Sequence, residues 1–178
     1  MLFGSIATLL VIGSTTACSD TPTKSPDVAG NIRTSLDQAG LKDVSVSQDR
    51  DKGVITLTGN TTTDADKAQA ESIAKSFAGA QVVSDQIAVR PPGDEGIAKK
   101  VDSDLDKGIE NNFDALLVRH KLDRTVKYDV KNGVITLNGK VNSQSKRAWV
   151  EKLATGVPNV KQVVNELEVK NQKASSSD

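Results

Sequence analysis

The segment GVITLNGKV at residues 133–141 nearly repeats the segment GVITLTGNT at residues 53–61, at an offset of eighty positions. Residues 53–89 align with residues 133–169 without a gap, and identities continue beyond the strand-like block. The further identical pairs are Gly59/Gly139, Ala68/Ala148, Glu71/Glu151, Ala74/Ala154, Val83/Val163 and Val89/Val169. Self-similarity at a fixed offset indicates a duplicated unit, so the chain is predicted to contain two copies of one small fold.

Each copy has the pattern of a hairpin, a helix and a further strand. Alternating apolar and polar residues flank the turn signals RDKG (50–53) and KNG (131–133), which predicts two short antiparallel strands. Gly59 and Gly139 are predicted to end the second strand of each hairpin. Apolar residues at helical spacing follow, namely Ala70, Ile73, Ala74 and Phe77 in the first copy and Val150, Leu153, Ala154 and Val157 in the second. The segments QVVSDQIAV (81–89) and VKQVVNELEV (160–169) are then predicted to form a third strand.

Another helix precedes each hairpin. Its apolar positions are Val28, Ile32 and Leu36 in the first copy, and Ile97, Val101, Leu105, Ile109, Phe113 and Leu117 in the second. The segment RPPGDEG (90–96) interrupts both helix and strand patterns. The predicted fold class is therefore α+β, with two small αββαβ domains, each a three-stranded sheet packed on two helices. The domains are placed at residues 28–90 and 97–170, with a linker at 91–96.

The N-terminal segment resembles a bacterial lipoprotein signal. The apolar run at residues 2–12 is too short to span a bilayer as a helix, and small residues lead from it to Cys18, the only cysteine. The sequence TTAC resembles a lipobox, which implies lipidation of Cys18, and Ser19 after it implies sorting to the outer membrane. An ordinary secretory signal with an incidental cysteine is the alternative. The predicted division is a signal peptide at 1–17, a lipidated cysteine and flexible tether at 18–27, and a polar tail at 171–178.

The repeated units resemble a known family. The G-V-I-T-L-x-G block, the helix with its Ala and Glu, and the strand NVKQVVNELEV (159–169) are similar to those of tandem BON-domain proteins, bacterial envelope modules of the osmotically induced and lipid-binding periplasmic type. The resemblance covers nearly all of the predicted mature chain. It implies an outer-membrane-anchored, periplasm-facing lipoprotein that binds anionic phospholipid, supports envelope integrity and is connected with osmotic stress.

The sequence does not favour an enzyme. Catalytic nucleophiles usually need a His or a free Cys nearby, and the predicted mature chain has one histidine, His120, interpreted as a solvated side chain at a helix C-terminus. No catalytic residue and no cofactor are therefore predicted. Lys plus Arg and Asp plus Glu number 23 each, so no overall field attracts nucleic acid. The GDEG at 93–96 matches a GxxG loop, but its acidic residues would repel phosphate, and no nucleic-acid partner is expected.

The segment DSDLDKG (102–108) resembles the start of a calcium loop. Its aspartates occupy the first, third and fifth positions, but Lys107 stands where such a loop needs glycine and Phe113 where it needs glutamate. The apolar spacing predicts a helix instead, on which alternate residues point to different sides. No metal site is therefore predicted.

A basic surface in the second copy is the remaining candidate site. Between residues 119 and 152 the basic residues are Arg119, Lys121, Arg124, Lys127, Lys131, Lys140, Lys146, Arg147 and Lys152. Trp149 aligns with the polar Gln69, which indicates a position outside the deep core. It is expected to lie at a membrane interface, or alternatively to pack against the other domain or at the edge of the core. The predicted lipid- or partner-binding residues are Phe113, Leu117, Arg119, Lys121, Lys146, Arg147 and Trp149. The alternative function is a periplasmic scaffold that binds an envelope protein through strand edges or the groove between the domains.

Overall fold

The computed structural model describes residues 24–170, so Cys18, the signal segment and the polar tail lie outside the described residues. The first unit contains α1 (Ala29–Gln38), β1 (Val44–Asp49), β2 (Val54–Thr61), α2 (Asp64–Ala78), β3 (Val82–Asp85) and β4 (Ala88–Val89). The second contains α3 (Glu95–Arg119), β5 (Val126–Lys131), β6 (Val134–Val141), α4 (Gln144–Thr155), β7 (Gln162–Asn165) and β8 (Glu168–Val169). The predicted α+β class with two repeated domains is confirmed. Within residues 24–170, no helix has the length and apolar character needed to cross a bilayer.

Each unit builds one small mixed sheet. In the first unit β1 pairs antiparallel with β2, and both β3 and β4 pair parallel with β2. The second unit repeats this arrangement with β5, β6, β7 and β8. Because two parallel strands need a crossover connection, α2 and α4 carry the chain across one face of each sheet. The second strand of each hairpin, β2 or β6, therefore lies between an antiparallel neighbour and two parallel ones, whereas β1 and β5 are edge strands.

The predicted single third strand is divided in both units. Asp85 Oδ1 accepts a hydrogen bond from Ile87 N at 3.1 Å, and Asn165 Oδ1 accepts one from Leu167 N at 3.2 Å. These side chains satisfy a backbone donor two residues ahead and so stabilise a turn in place of the ladder. The prediction of one continuous strand is wrong at this point, because a local side-chain acceptor interrupts it.

Gly59 and Gly139 lie inside β2 and β6 and do not end them. Their φ angles are 111° and 122°, and a Cβ on Gly59 would stand 2.0 Å from the carbonyl oxygen of Asp43. At Gly139 the same clash, at 2.2 Å, would involve the Thr125 carbonyl oxygen. Each glycine marks the point where the central strand leaves its antiparallel neighbour and begins to pair with the short last strand. Only glycine allows this close backbone approach.

The two hydrophobic cores are mainly aliphatic and lie within residues 24–170. In the first unit Ala70, Ala74 and Ala78 form the buried side of α2, whereas Phe77 is 37% exposed. The prediction that Phe77 belongs to the core stripe is therefore wrong. In the second unit Phe113 of α3 is fully buried and packs edge-on against Tyr128, with ring centroids 4.9 Å apart.

The apolar stripe of α3 faces the core along only half of the helix. Its members recur every four residues, and four residues turn an α-helix about 40° beyond a full circle. Ile109, Phe113 and Leu117 are buried. Towards the N-terminus the stripe rotates away from the core, and the exposed fraction rises to 39% at Leu105, 51% at Val101 and 68% at Ile97. The prediction of one helix is confirmed, but its first half does not pack on the core.

The two units contact each other through their third strands, in a nearly two-fold arrangement. Lys52 in the β1–β2 turn donates to Glu166 Oε2 at 2.5 Å, and Asn132, eighty positions later, donates to the Gln86 carbonyl at 2.7 Å. Gln162 on β7 bonds to the backbone of β3, accepting from Asp85 N and donating to the Val83 carbonyl. The buried side chains at the centre are Val54, Val134 and Val164. Because equivalent positions meet reciprocally, this contact has the form of an isologous dimer interface within one chain.

The end of the predicted flexible tether packs on the first unit. Ser25 N donates to the Arg50 carbonyl at 2.9 Å, and Arg50 Nε donates back to the Ser25 carbonyl at 2.7 Å. Gln48 Nε2 donates to the Pro26 carbonyl at 2.7 Å. These bonds attach residues 25 and 26 to the hairpin, so the free part of any tether ends before them.

Candidate functional site

Trp149 lies at the edge of the second core, on α4. Ser143 caps this helix by accepting a hydrogen bond from Lys146 N at 3.1 Å, which places Lys146 and Trp149 on its first turns. Lys146 Nζ stands 4.1 Å from the centre of the indole ring, and His120 meets the ring edge-on at 4.9 Å. A lysine over an indole face is a favourable cation–π contact. The indole is half-buried against the core, and one of its faces lies under a cation.

A shallow apolar groove of about 400 Å³ lies beside this ring, between α3 and α4. Its lining residues are Leu116, Trp149, Lys152, Leu153 and Gly156. Leu116 and Leu153 are half-buried, and Lys152 is exposed at the rim. An apolar depression with cations at its edge can accept an aliphatic chain or an apolar side chain while attracting a negative group.

Of the predicted binding residues, Lys146 and Trp149 are in direct contact beside this groove. Arg119 and Lys121 are exposed on either side of His120, where α3 ends, and Lys146 covers the indole. Lys121 has a φ of 55°, which turns the chain sharply after the helix. The end of α3 therefore contacts the indole through His120, and the start of α4 places Lys146 over it.

Phe113 and Leu117 are corrections to the predicted site. Phe113 is 0% exposed and Leu117 is 2% exposed, because both point into the second core from α3. They cannot contact a lipid or a partner in this fold. The exposed apolar residue at this end of the helix is Val118, at 63%.

The Arg147 side chain makes hydrogen bonds within the second unit. Its Nε donates to the Leu167 carbonyl at 3.0 Å and its Nη2 to the Asn165 carbonyl at 2.6 Å. The equivalent Lys67 in the first unit donates to the Ile87 carbonyl at 2.7 Å. Both cations thus satisfy carbonyls at the interruption of the third strand, so Arg147 has a structural role there in addition to its positive charge.

Sequence reasoning missed two members of the site. His120 was interpreted as solvated, and it is exposed, yet its ring contacts Trp149. Leu116 lies one position before Leu117, outside the four-residue stripe, and no periodicity signal marked it as a groove residue. The available signal was the tryptophan at the position where the first unit has Gln69. A large apolar ring at that position requires extra apolar surface nearby.

The alternative sites are the strand edges and the groove between the units. The outward edges of β3 and β7 face each other and are joined by Gln162. On β1, Arg33 Nη2 donates to the Val46 carbonyl at 3.0 Å and so occupies one outward acceptor. A polar groove of about 490 Å³ remains between α3 and the first unit, with Arg90, Asp102 and Asp106 among its lining residues.

The three aspartates of the calcium-like segment lie on α3 and do not converge. Asp102 pairs with Arg90 at the end of the first unit, Asp106 binds the β5–β6 turn, and Asp104 is exposed. In the part of the chain that the structure describes, no group of three or more His, Cys, Asp or Glu side chains is arranged to hold a metal ion.

Comparison with known proteins gives a consistent result for both units. A family model described as the BON domain matches residues 25–91 and 93–171. Osmotically-inducible protein Y of Escherichia coli (strain K12) is 32% identical over 135 residues, which cover 76% of this chain and 67% of that protein. Two solved structures of CdsD, a structural protein of the type III secretion system of Chlamydia trachomatis, are 15% identical with a TM-score of 0.31.

The matched regions differ in how much of each protein they include. The CdsD structures cover 81% and 80% of this chain, and the chain covers 66% and 62% of them. The chain therefore spans about two thirds of the length of the relatives that it matches. At a TM-score of 0.31 the CdsD likeness carries no argument about this chain.

Proposed function

Because the chain belongs to the BON-domain family, we propose that it is a non-enzymatic cell-envelope protein that binds anionic phospholipid surfaces through its second unit. The likeness to an osmotically inducible protein supports a role in maintaining the envelope under osmotic stress. The proposal includes attachment to the outer membrane, facing the periplasm, through a lipid on Cys18. The observation that carries the lipid-binding part is the contact of Lys146 with the Trp149 ring, beside an apolar groove that Lys152 helps to line.

This surface has the composition that interfacial binding requires. Lys146 lies over the indole, Lys152 lines the groove, and Arg119 and Lys121 are exposed on either side of His120, which contacts the indole. Each basic group near an anionic leaflet contributes on the order of 1 kcal/mol. Tryptophan prefers the boundary between headgroups and acyl chains because its ring is amphipathic. The groove beside it gives the apolar part of the contact. Binding is therefore expected to combine electrostatic attraction with shallow insertion.

Vesicle binding tests the proposal. The chain from residue 24 is suitable because both cores lie within residues 24–170, and it lacks Cys18, so any binding is independent of a lipid anchor. We expect it to co-sediment with phosphatidylglycerol-containing vesicles and not with pure phosphatidylcholine vesicles, and to release as salt is raised, because exposed charges are screened. Its single tryptophan should shift its emission to the blue on binding.

A pair of double variants localises the contact. Trp149→Ala/Lys146→Glu should lose most of the binding, because it removes the indole and reverses a cation. Gln69→Ala/Lys42→Glu makes the same change of charge on exposed residues of the first unit and should bind like the wild type. Equal binding by wild type and the Trp149 variant would contradict the proposed face.

A protein-binding scaffold is the second candidate, and the groove of about 490 Å³ between α3 and the first unit favours it. Its polar lining suits an extended peptide. Cross-linking in cells from a photoreactive residue at Ser103 should then capture one reproducible protein. Absence of any reproducible partner, together with salt-sensitive vesicle binding, would exclude this candidate.

A further inference from the structure

The N-terminal half of α3 exposes its apolar side and turns its acidic side inward. Asp102 forms an ion pair with Arg90, and Asp106 accepts hydrogen bonds from Asn132 N and Gly133 N, each at 2.8 Å. These contacts fix the rotation of the helix about its axis. On the other side of the helix, the aliphatic side chains at positions 97, 101 and 105 are 68%, 51% and 39% exposed. The usual amphipathic arrangement is thus reversed along this segment.

This exposed stripe is concentrated in one place. Ile97, Val101 and Leu105 account for three of the six large hydrophobic residues that are exposed within residues 24–170, and they follow one another on successive turns. Isolated exposed aliphatic residues are ordinary, but a continuous row on a helix usually marks a contact with another molecule.

Gly108 lies on the same face, one turn beyond Leu105. A Cβ at this position would meet nothing within 4 Å, so the packing of the chain does not require glycine there. Glycine inside a helix costs roughly 1 kcal/mol relative to alanine. A second helix that packs closely here, with a bulky side chain over Gly108, would explain why a glycine stands at a position where the fold of one chain does not require it.

The charges beside the stripe fit a second copy of the same helix. Lys100 and Asp104 are both exposed and lie one turn apart along one edge of the stripe. In an antiparallel pair related by a two-fold axis near Val101, Lys100 of each copy faces Asp104 of the other. The two helix dipoles are then also opposed, which is favourable. Asp104 would instead repel an anionic lipid surface, so the stripe suits a helix better than the membrane contact proposed for Trp149.

From these observations we propose that two copies of the chain associate through the first half of α3, with Ile97, Val101 and Leu105 packed antiparallel against the same residues of the second copy. Three aliphatic side chains from each copy make a small contact, well below the roughly 1,200 Å² of a stable specific interface. The association is therefore weak and reversible in solution. It would become effective where the chain is concentrated.

Sedimentation equilibrium of residues 24–178 tests the pairing. The weight-average mass should rise towards that of a dimer as the concentration approaches about 1 mM, and Val101→Asp should weaken association at least about tenfold, because it places an unpaired carboxylate in the contact. Val118→Asp is the matched control, since Val118 is 63% exposed on another side of the same helix, and it should not change the association. A wild type that stays monomeric, or a Val101→Asp variant that associates as before, would overturn the proposal.

Charge exchange tests the antiparallel arrangement. Lys100→Asp and Asp104→Lys should each weaken self-association, because like charges then face each other. A mixture of the two single variants should associate again as a heterodimer, since every facing pair is opposite in charge. Failure of the mixture to associate would overturn the antiparallel pairing. Binding of a monomeric wild type to phosphatidylcholine vesicles that is lost in Val101→Asp would assign the stripe to lipid and likewise refute it.

Discussion

Lys52 Nζ and Glu166 Oε2 lie 2.5 Å apart and join the hairpin turn of the first unit to the end of the third strand of the second. The Lys52 side chain is 39% exposed and that of Glu166 is 11% exposed, so the pair is partly screened by solvent. The hydrogen bond to Glu166 raises the pKa of Lys52 above its usual 10.5. The ion pair thus stabilises the contact between units whenever Lys52 is protonated.

We expect Lys52→Met to lower the free energy of unfolding by about 0.5–1 kcal/mol at pH 7. Because the folded-state pKa is raised, the contribution is complete below pH 10.5 and is lost as the pH rises through the folded-state value. Urea unfolding of wild type and variant at pH 7 and above pH 11 should show this difference shrinking. Lys140→Met, which breaks an ion pair exposed by more than 60% on both sides, is the control and should have a smaller effect. Equal losses would contradict a specific role for Lys52.

The substitution Asp85→Asn is expected to leave stability unchanged or to raise it by up to about 1 kcal/mol at pH 7. Burial raises the pKa of Asp85, since its side chain is only 11% exposed, and Lys67 at 3.7 Å offsets this only in part. The second unit already uses the neutral Asn165 at the equivalent position and keeps the same turn.

The pH dependence of that substitution has a definite sign. A carboxyl whose folded-state pKa is raised stabilises the fold below its unfolded value of 3.8, and this contribution is lost as the pH rises through the folded-state value. The free energy of unfolding of the wild type, measured with urea, should therefore rise relative to that of Asp85→Asn as the pH falls from 7 to 3.5. The reverse change, Asn165→Asp, should lower stability at pH 7. A large loss in Asp85→Asn at pH 7 would show that the charge is needed.

Gly59→Ala and Gly139→Ala should each cost at least about 2 kcal/mol of unfolding free energy. The added Cβ would meet a backbone carbonyl oxygen at 2.0 or 2.2 Å, in a region of positive φ that L-residues rarely adopt. Gly30→Ala is the control, because Gly30 lies in α1 with nothing within 4 Å, and it should raise stability by roughly 0.5–1 kcal/mol. Thermal unfolding followed by circular dichroism measures all three, and tolerance of Ala at position 59 would refute the close approach.

The structure of the repeated unit could be predicted well from the sequence, because the patterns that specify its strands, turns and helices each involve only neighbouring residues. The GVITL block, the Asn-Gly turn and the helical spacing each act within a few residues, so the hairpins and helices follow from period and turn chemistry. The turn is as expected, with φ of 51° at Asn132 and 84° at Gly133. The break in the third strand was missed because a single aspartate or asparagine side chain competes with the ladder there.

The candidate site was predicted less completely, because exposure depends on rotation and packing. The four-residue spacing of α3 gave no indication of which half would reach the core, and so Phe113 and Leu117 were assigned to the surface although they are buried. The contact between Lys52 and Glu166 joins residues 114 positions apart. No periodic pattern encodes such a pairing, and the position of the groove beside Trp149 depends on how α3 and α4 meet.

Asp106→Ala should destabilise the first half of α3 more than any exposed substitution on that helix. Asp106 accepts two backbone hydrogen bonds at the β5–β6 turn, and its removal leaves both half-buried donors without that acceptor, at a cost of roughly 2 kcal/mol. Because the apolar stripe does not pack on the core, little else holds this segment. Limited trypsin digestion should then cleave at Lys99 and Lys107 faster than in wild type.

Asp104→Ala is the matched control for this prediction, since Asp104 is exposed and lies only two residues before Asp106 on the same helix. It should leave the digestion rate of the monomer unchanged when measured at low micromolar concentration, where self-association is negligible. Hydrogen exchange of the α3 amides should separate the two variants in the same way. Equal protection of residues 95–107 in both would mean that the hydrogen bonds of Asp106 to the β5–β6 turn do not hold this half of α3, and would leave that role to the Arg90–Asp102 ion pair with the first unit.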